Sequence, residues 1–545
     1  MIDLDALRNL LGPDHVVSDP VAVESRARCL IPDVQRPEVF LYPGSVEEVQ
    51  SVLRLANEKG FSLWTCGKGK NWGYGSATPV RSGGAVMVLE RMNRILEVNE
   101  TLAYAVIEPG VTYRQLHAHL QARGHRLWTD CTDGPADGSV IGNALERGIG
   151  ETPYGDHFEN ICGIEALLAD GTLVRTGGGP RADNKTWNVH KWGVGPYLEG
   201  LFSQSNFGVV TKMGLWLMPA PERFVSCLFE LNREEDFPRL IDALRRLAFA
   251  GALRSKVHLI NDVTTFGVVA KNPRDLLEGA PCLTDDRRAA LRERFNIAPW
   301  TFAAGLYGTG AQVRAAQALI RRELGTLGRL WFIGDTLNRW IGRAVAFLQK
   351  RPPALAHRLS MLLFRKPLPC AAALPEMHAI EQGRPSDYFV KHAYMKRRGA
   401  KPPDNDIDPA RDGCGGIWAG PVAPLEGNAV TGLVKHCRAL ARRRQLDINF
   451  ALMVSNPRSV IVLTSLFYDK RDADETKRVL DLYNEIAEST QSLGYQQYRT
   501  STAFMGRIFR TAPEFLDLAR RLKTALDPNG VLAPGKYGLG DSPTP

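Results

Sequence analysis

Two short stretches in the first third of the chain restrict its fold more than any other feature: Gly67-Lys-Gly-Lys-Asn-Trp-Gly-Tyr-Gly75 and Asp133-Gly-Pro-Ala-Asp-Gly-Ser-Val-Ile-Gly-Asn143. Glycine every two or three residues lets consecutive backbone N–H groups converge on one anion, as in phosphate-binding nests. The first loop leaves an expected strand at 61–66. Its spacing, G-x-G-x-x-x-G, fails the dinucleotide fingerprint, and it lacks the Gly-Lys-Ser/Thr of a P-loop. Alone it is equally compatible with a structural turn. Two such loops before residue 160, however, suit one extended diphosphate ligand lying between them. Asp170-Gly-Thr-Leu-Val-Arg-Thr-Gly177 reads instead as a hairpin turn.

The surrounding pattern is mixed α+β. A helix is expected over 46–56, with Ser45 as N-cap and Glu47 and Glu48 in its first turn, and another over 113–121. Short strands are expected at 84–89, 103–107 and 164–168. A proline-bounded linker, Met218-Pro-Ala-Pro-Glu222, precedes a region of alternating helices and strands, clearest at 449–454, 460–467 and 476–493. The chain closes with a helix at 513–526 and an Asp527-Pro-Asn-Gly turn. At about 150 residues per domain, 545 residues suggest two to four units.

No apolar run approaches the ~18 residues of a membrane span, and the N-terminus lacks a basic and then apolar leader. Nine dispersed cysteines without a C-x-x-C pair argue against structural zinc and for a reducing compartment. The expectation is a cytoplasmic protein without a metal. The net charge of +9 is concentrated in 327–366, where eight basic residues face one acid. They alternate with Trp331, Trp340, Phe347 and Leu362. Such a segment can lie on an anionic bilayer or dock an acidic partner or neighbouring subunit, or it can be a helical element with its apolar face buried. No nucleic-acid-binding motif is present.

The strings GKGKNWGYG (67–75), EPGVTY (108–113), GSVIGNALERGIGETPYGDH (138–157), GPYLEGLFSQSNFGVVTKMG (195–214), YRTSTAFM (498–505) and DPNGVLAPGK (527–536) resemble the vanillyl-alcohol oxidase and p-cresol methylhydroxylase family of FAD-linked oxidoreductases. The resemblance covers roughly 37–220 and 410–540 and is poor between about 230 and 400. It implies an α+β fold in two parts. A p-cresol methylhydroxylase-type FAD-binding domain takes 1–221 and the return segment 500–545. A cap over 222–499, an antiparallel sheet flanked by helices, closes over the isoalloxazine. The FAD diphosphate would be held by Gly67, Lys68, Gly69, Lys70 and Asn71, and by Gly138, Ser139, Gly142 and Asn143. Lys536 would sit near the flavin, or be a surface lysine on a turn.

By the same resemblance, Tyr74, Tyr498 and Arg499 would bind a para-substituted phenol as its phenolate, with Trp418 as a pocket wall. Ionising a phenol of pKa about 10 near pH 7 takes roughly 4 kcal/mol. One charge-assisted hydrogen bond supplies ~1.5–3 kcal/mol, so a single donor falls short and a set of three suffices. Hydride would then leave the benzylic carbon for flavin N5, giving a p-quinone methide. The family's carboxylate near N5 aligns with Asp133, with Asp137 as its rival. It would act as a base toward the benzylic hydroxyl or attacking water.

Two departures stand out. The histidine that tethers flavin in many relatives falls on Gly416, and the tyrosine of the p-cresol branch falls on Asp406-Ile-Asp408. FAD is therefore expected to be non-covalent, with His392 or Tyr394 indicated should it prove tethered. Glu151 stands where relatives carry tyrosine. The resemblance also implies a homodimer, and oxygen or a cytochrome as electron acceptor. Rival readings are oxidation of a non-phenolic alcohol, sugar, lactone or hydroxy acid, with Arg499 holding a carboxylate, and a basic membrane- or nucleic-acid-binding protein on a flavin fold.

Overall fold

Helix Val46–Lys59 starts where the sequence predicts and runs past the end expected at 56. In the computed structural model, which describes residues 2–32, 35–181, 183–269, 276–399, 402–403 and 405–540, the Ser45 side chain accepts from Glu48 N at 3.2 Å. The helix stops at Gly60, in the left-handed region at φ 70°. Val49, Val52, Leu53 and Ala56 form its buried stripe. Each Val or Leu so buried contributes roughly 1.5–3 kcal/mol. The helix connects strands Val39–Leu41 and Leu63–Cys66, both parallel to the strand Ala85–Val88 between them.

The other neighbour of the Leu63 strand comes from the far end of the chain. Leu63 N donates to Val531 O, and Ala533 N donates to Leu63 O, both at 2.8 Å. Helix Pro513–Leu526, at the bounds read from the sequence, delivers this tail. A buried Lys523–Asp527 pair at 2.6 Å pins it, and the same ammonium donates to Asn206 O and Leu532 O. Residues 541–545, the last of the expected return segment, lie outside the described residues. A second sheet is antiparallel, in the order Ile95–Asn99, Tyr104–Ile107, Val209–Trp216, Ile161–Leu167 and Leu173–Arg175. The turn at Asp170-Gly171 joins its last two strands, as expected.

Residues 223–469 build an eight-stranded antiparallel sheet. Its order is Gly328–Ile333, Arg223–Leu231, Trp300–Gly308, Val257–Asn261, Asn449–Asn456, Ser459–Asp469 and Cys414–Ala419, with Val422–Pro424 pairing to the 459–469 strand. Side chains alternate between two faces. One face, including Phe229, Leu259, Phe302 and Leu452, packs against helices Phe237–Phe249, Gly310–Leu324, Gly427–Arg443 and Ala473–Ser492 in the largest core cluster. The other face carries Leu228, His258, Ile260, Ala303 and Ala451 and looks into a cavity covered by helices Asp262–Val269 and Leu368–Ile380.

The basic segment forms strand Gly328–Ile333 and helices Asp335–Gln349 and Pro353–Phe364. Ile341, Val345 and Leu348 are buried, as the buried-face reading expects. Yet Trp340 is 50 % exposed, Phe347 53 % and Leu362 76 %. Arg339, Arg343 and Arg358 are exposed in the same segment. Among the described residues, no helix is long and apolar enough to cross a membrane.

Candidate active site

The two glycine loops, the C-terminal tail and the inner face of the large sheet enclose a cavity of about 600 Å³. The loops touch: a Cβ on Gly67 would lie 2.5 Å from Ser139 Oγ, so only glycine permits the approach. Ser139 Oγ accepts from Gly142 N at 2.9 Å and donates to Pro109 O at 2.6 Å. Gly69, at φ 63°, Asn71, Gly138 and Asn143 line the same wall. The lysines are already engaged. Lys68 pairs with Glu90 at 3.0 Å and Lys70 with Asp408 at 3.2 Å. Lys536 pairs with Glu146 at 2.8 Å, and Glu146 also accepts from Tyr537. Burial opposes charge on Glu146, but Lys536 and Arg499 outweigh it and hold its pKa below the usual value.

Among the described residues, five buried polar atoms on the cavity lining have no partner: Thr65 Oγ1, Ser76 Oγ, Asn206 Oδ1, His392 Nε2 and Arg499 Nε. Each such atom costs about 1–3 kcal/mol when left unpaired. This cradle of close-approach glycines and unpaired donors and acceptors fits a large polar ligand with an anionic middle. FAD meets that description.

At one end of the cavity, Tyr74, Tyr498 and Arg499 meet. The two tyrosine hydroxyls lie 3.2 Å apart across 424 residues of sequence. The Arg499 guanidinium sits 4.2 Å from the Tyr74 ring centroid and donates to Asn71 Oδ1 at 2.6 Å. Burial pushes the Tyr74 phenol well above its ordinary pKa, with Arg499 pulling the other way, so Tyr74 stays a neutral donor. Burial also works against the Arg499 charge, but Tyr498, Tyr74 and Glu146 hold it in place. Trp418 stacks on Tyr74 with centroids 5.9 Å apart. It can do so because residue 73 is glycine: a Cβ there would fall 0.9 Å from the indole.

Asp133 lines the cavity, whereas Asp137 is exposed and paired with Arg114 at 3.0 Å. Glu151 faces the same space and lies 3.3 Å from His258 Nδ1, on the large sheet. Asp130 fixes the Glu151 loop by accepting from Glu151 N and Thr152 N at 3.0 and 3.2 Å. A Cβ on Gly150 would collide with that carboxylate at 2.0 Å. Burial raises the pKa of Glu151. At His258 burial acts downward, but the Glu151 and Asp133 carboxylates prevail and lift it to about 9. These two shifts favour opposite charge states of the pair. With two carboxylates facing one imidazole, the charged imidazolium is the form favoured here.

His392 completes the group; burial lowers its pKa, so it is a neutral imidazole. Further along the cavity, burial pushes Glu381 up to about 8. Ser226 Oγ, His378 and Asp335 form a chain at 2.8 and 3.0 Å, but Ser226 is buried away from the cavity. That chain is structural.

His258 and Glu381 have no local sequence signal; each sits in an ordinary strand or helix end. At the position where many relatives tether flavin, a Cβ on Gly416 would meet Phe467 at 3.4 Å and Leu30 at 3.7 Å, both of which line the cavity. The Tyr394 hydroxyl is bound to Asp412, and Tyr394 does not line the cavity, whereas His392 does.

Residues 37–177 match the model of an FAD binding domain, and residues 462–537 match that of the C-terminal domain of FAD linked oxidases. The chain is 33% identical to the 1'-carboxy-chondrochloren decarboxylase of Chondromyces crocatus over 98% of this chain and 96% of that one. It is 28% identical to the flavoprotein subunit of 4-cresol dehydrogenase [hydroxylating] of Pseudomonas putida, over 98% and 94%. The solved structure of p-cresol methylhydroxylase with substrate bound superposes with a TM-score of 0.86 at 27% identity, covering 98% of this chain and 96% of that chain.

Proposed function

The chain belongs to the vanillyl-alcohol oxidase and p-cresol methylhydroxylase family of FAD-linked oxidoreductases, and from that premise we propose that it oxidises a para-substituted phenol at the benzylic carbon. The observation that carries this reading is the meeting of Tyr74, Tyr498 and Arg499 at one end of the cavity, with two hydroxyls 3.2 Å apart beside a buried guanidinium. A phenol bound there ionises in preference to Tyr74, which burial holds neutral. FAD, when bound, supplies the acceptor for a hydride.

The residues do the remaining work. Gly67, Gly69, Asn71, Gly138, Ser139, Gly142 and Asn143 would hold its diphosphate, and Lys536 with Glu146 would meet the ring system. Arg499 and the two tyrosines hold the phenolate, which pushes electron density toward the para substituent and weakens its benzylic C–H bond. Trp418 fixes the ring plane. Asp133 takes a proton from a benzylic hydroxyl or from water attacking the p-quinone methide, and the Glu151–His258 pair exchanges that proton with it. We read the FAD as non-covalently held, because Gly416 offers no nucleophile.

Turnover of 4-ethylphenol, vanillyl alcohol and small hydroxy acids, measured side by side, tests the reading. Oxidation of the hydroxy acids alone would overturn it in favour of Arg499 as a carboxylate anchor.

The 33%-identical decarboxylase favours a second reading. If the carbon next to the benzylic one carries a carboxylate, the quinone methide can shed CO2. The C–C electron pair then restores the aromatic phenolate and leaves a vinylphenol. Release of CO2 from 3-(4-hydroxyphenyl)propanoate would support it. The exposed apolar and basic residues of 327–366 further suit docking on an anionic bilayer surface.

A further inference from the structure

Beyond the flavin cradle, the cavity runs along the inner face of the large sheet, past Tyr74 and Trp418. Strand register sets Leu463, Ala451, Ile260, Thr301 and Glu230 on one rung across five strands, and all five line the cavity. From the strand of Trp418 to that of Glu230 there are five strand spacings, about 24 Å. The phenol-binding end lies at Trp418 and the acid–base group at His258, midway across the sheet. Beyond His258 the space continues for two more strands, about 10 Å, beneath helix Leu368–Ile380.

This far arm is largely apolar, with the Thr301 hydroxyl and the Glu381 carboxyl among its few polar groups. The sheet contributes Ile260, Ala303 and Leu228 to it, and the covering helix contributes Leu374 and Met377. The hydroxyls of Thr264 and Thr265 are taken up by Asn261, at 2.8 and 3.3 Å. The arm ends at charge: Glu230 accepts from Lys366 at 2.5 Å and from Arg329 at 2.6 Å. Apolar walls give water few partners, so a short para substituent would leave this space without a suitable occupant.

We propose that the arm receives the para substituent, and that the substrate is a phenol bearing a long unbranched apolar chain that passes His258 and reaches toward the Glu230–Lys366 pair. This rests on the phenol reading above. It adds a specificity determinant, the sheet face at Ile260, Ala303 and Leu228. No catalytic step uses these positions.

The test is the affinity of the FAD-loaded protein for 4-ethyl-, 4-butyl- and 4-octylphenol, read anaerobically from the perturbed flavin spectrum and by calorimetry. Affinity should rise roughly fourfold per methylene from ethyl to butyl, and continue to rise to octyl. Ala303→Phe, which fills the arm from the sheet, should collapse the octyl-to-ethyl affinity ratio toward one. Ala373→Phe does the same from the helix should the sheet variant fail to fold. Equal affinity for ethyl and octyl chains, or a ratio unmoved in both filled variants, would overturn the proposal and leave the phenol reading standing. Failure of every phenol to bind would overturn both.

Discussion

Replacing Arg499 with Gln should raise the pKa of a phenol bound between Tyr74 and Tyr498 by about one to two units. Arg499 is only 7% exposed, so water screens its charge little. One charge-assisted hydrogen bond contributes ~1.5–3 kcal/mol. At about 1.4 kcal/mol per pKa unit, that is the stated shift. The two tyrosines, as neutral donors, supply ~0.5–1.5 kcal/mol each. Tyr74→Phe should therefore move the same pKa by about one unit or less. Loss of the guanidinium 4.2 Å from the Tyr74 ring should also lower the melting temperature, through a contact worth ~0.5–2 kcal/mol. The assay uses phenol itself, which has no para carbon to oxidise, and reads the near-ultraviolet phenolate band of the complex against pH. A bound phenol whose midpoint is the same in the parent protein and in R499Q would refute the electrostatic role given to Arg499.

Other expectations follow from the same geometry. Because His258 is lifted to about 9, above its ordinary value near 6.5, its contribution to stability is complete below about pH 6.5 and is lost as pH rises through 9. The melting temperature should fall across that window, and Glu151→Gln should flatten the fall. Acid precipitation of the FAD-loaded protein should leave yellow flavin in the supernatant; flavin in the pellet would indicate a tether, with His392 the residue facing the cavity. Sedimentation with phosphatidylserine vesicles should be salt-sensitive and lost in the Arg339→Gln, Arg343→Gln, Arg358→Gln triple variant. No sedimentation of the parent protein would end the bilayer reading.

Local chemistry was legible and remote pairing was not. Ser45 and the Asp170-Gly171 turn act within a few residues of themselves, so a helix start and a hairpin turn could be read directly, whereas the same helix runs on to Lys59 and stops at Gly60, past the end expected at 56. The strands expected at 449–454 and 460–467 appear as Asn449–Asn456 and Ser459–Asp469, because pairing extends a strand beyond its apolar stretch. Tyr74 and Tyr498 were brought together only by family resemblance; nothing local to either announces the other. His258 stayed invisible because its strand alternates like its neighbours, and only the register of the sheet turns it toward Glu151. Lys536 was read as a free cation near the flavin or a surface lysine, and its partner Glu146 lies 390 residues away.

The pairing of Leu63 with Leu532 has a consequence for how the protein is made. A ribosome adding roughly 5–20 residues per second reaches Leu532 about half a minute to a minute and a half after Leu63. Throughout that time the strand feeding the first glycine loop has an unpaired edge, while the large sheet between them is being made. The cap can therefore fold on the nascent chain, but the cofactor cradle closes only once Leu532 has emerged. A chain that lost the segment around Leu532 would carry a folded cap on an open, strand-edged and aggregation-prone half.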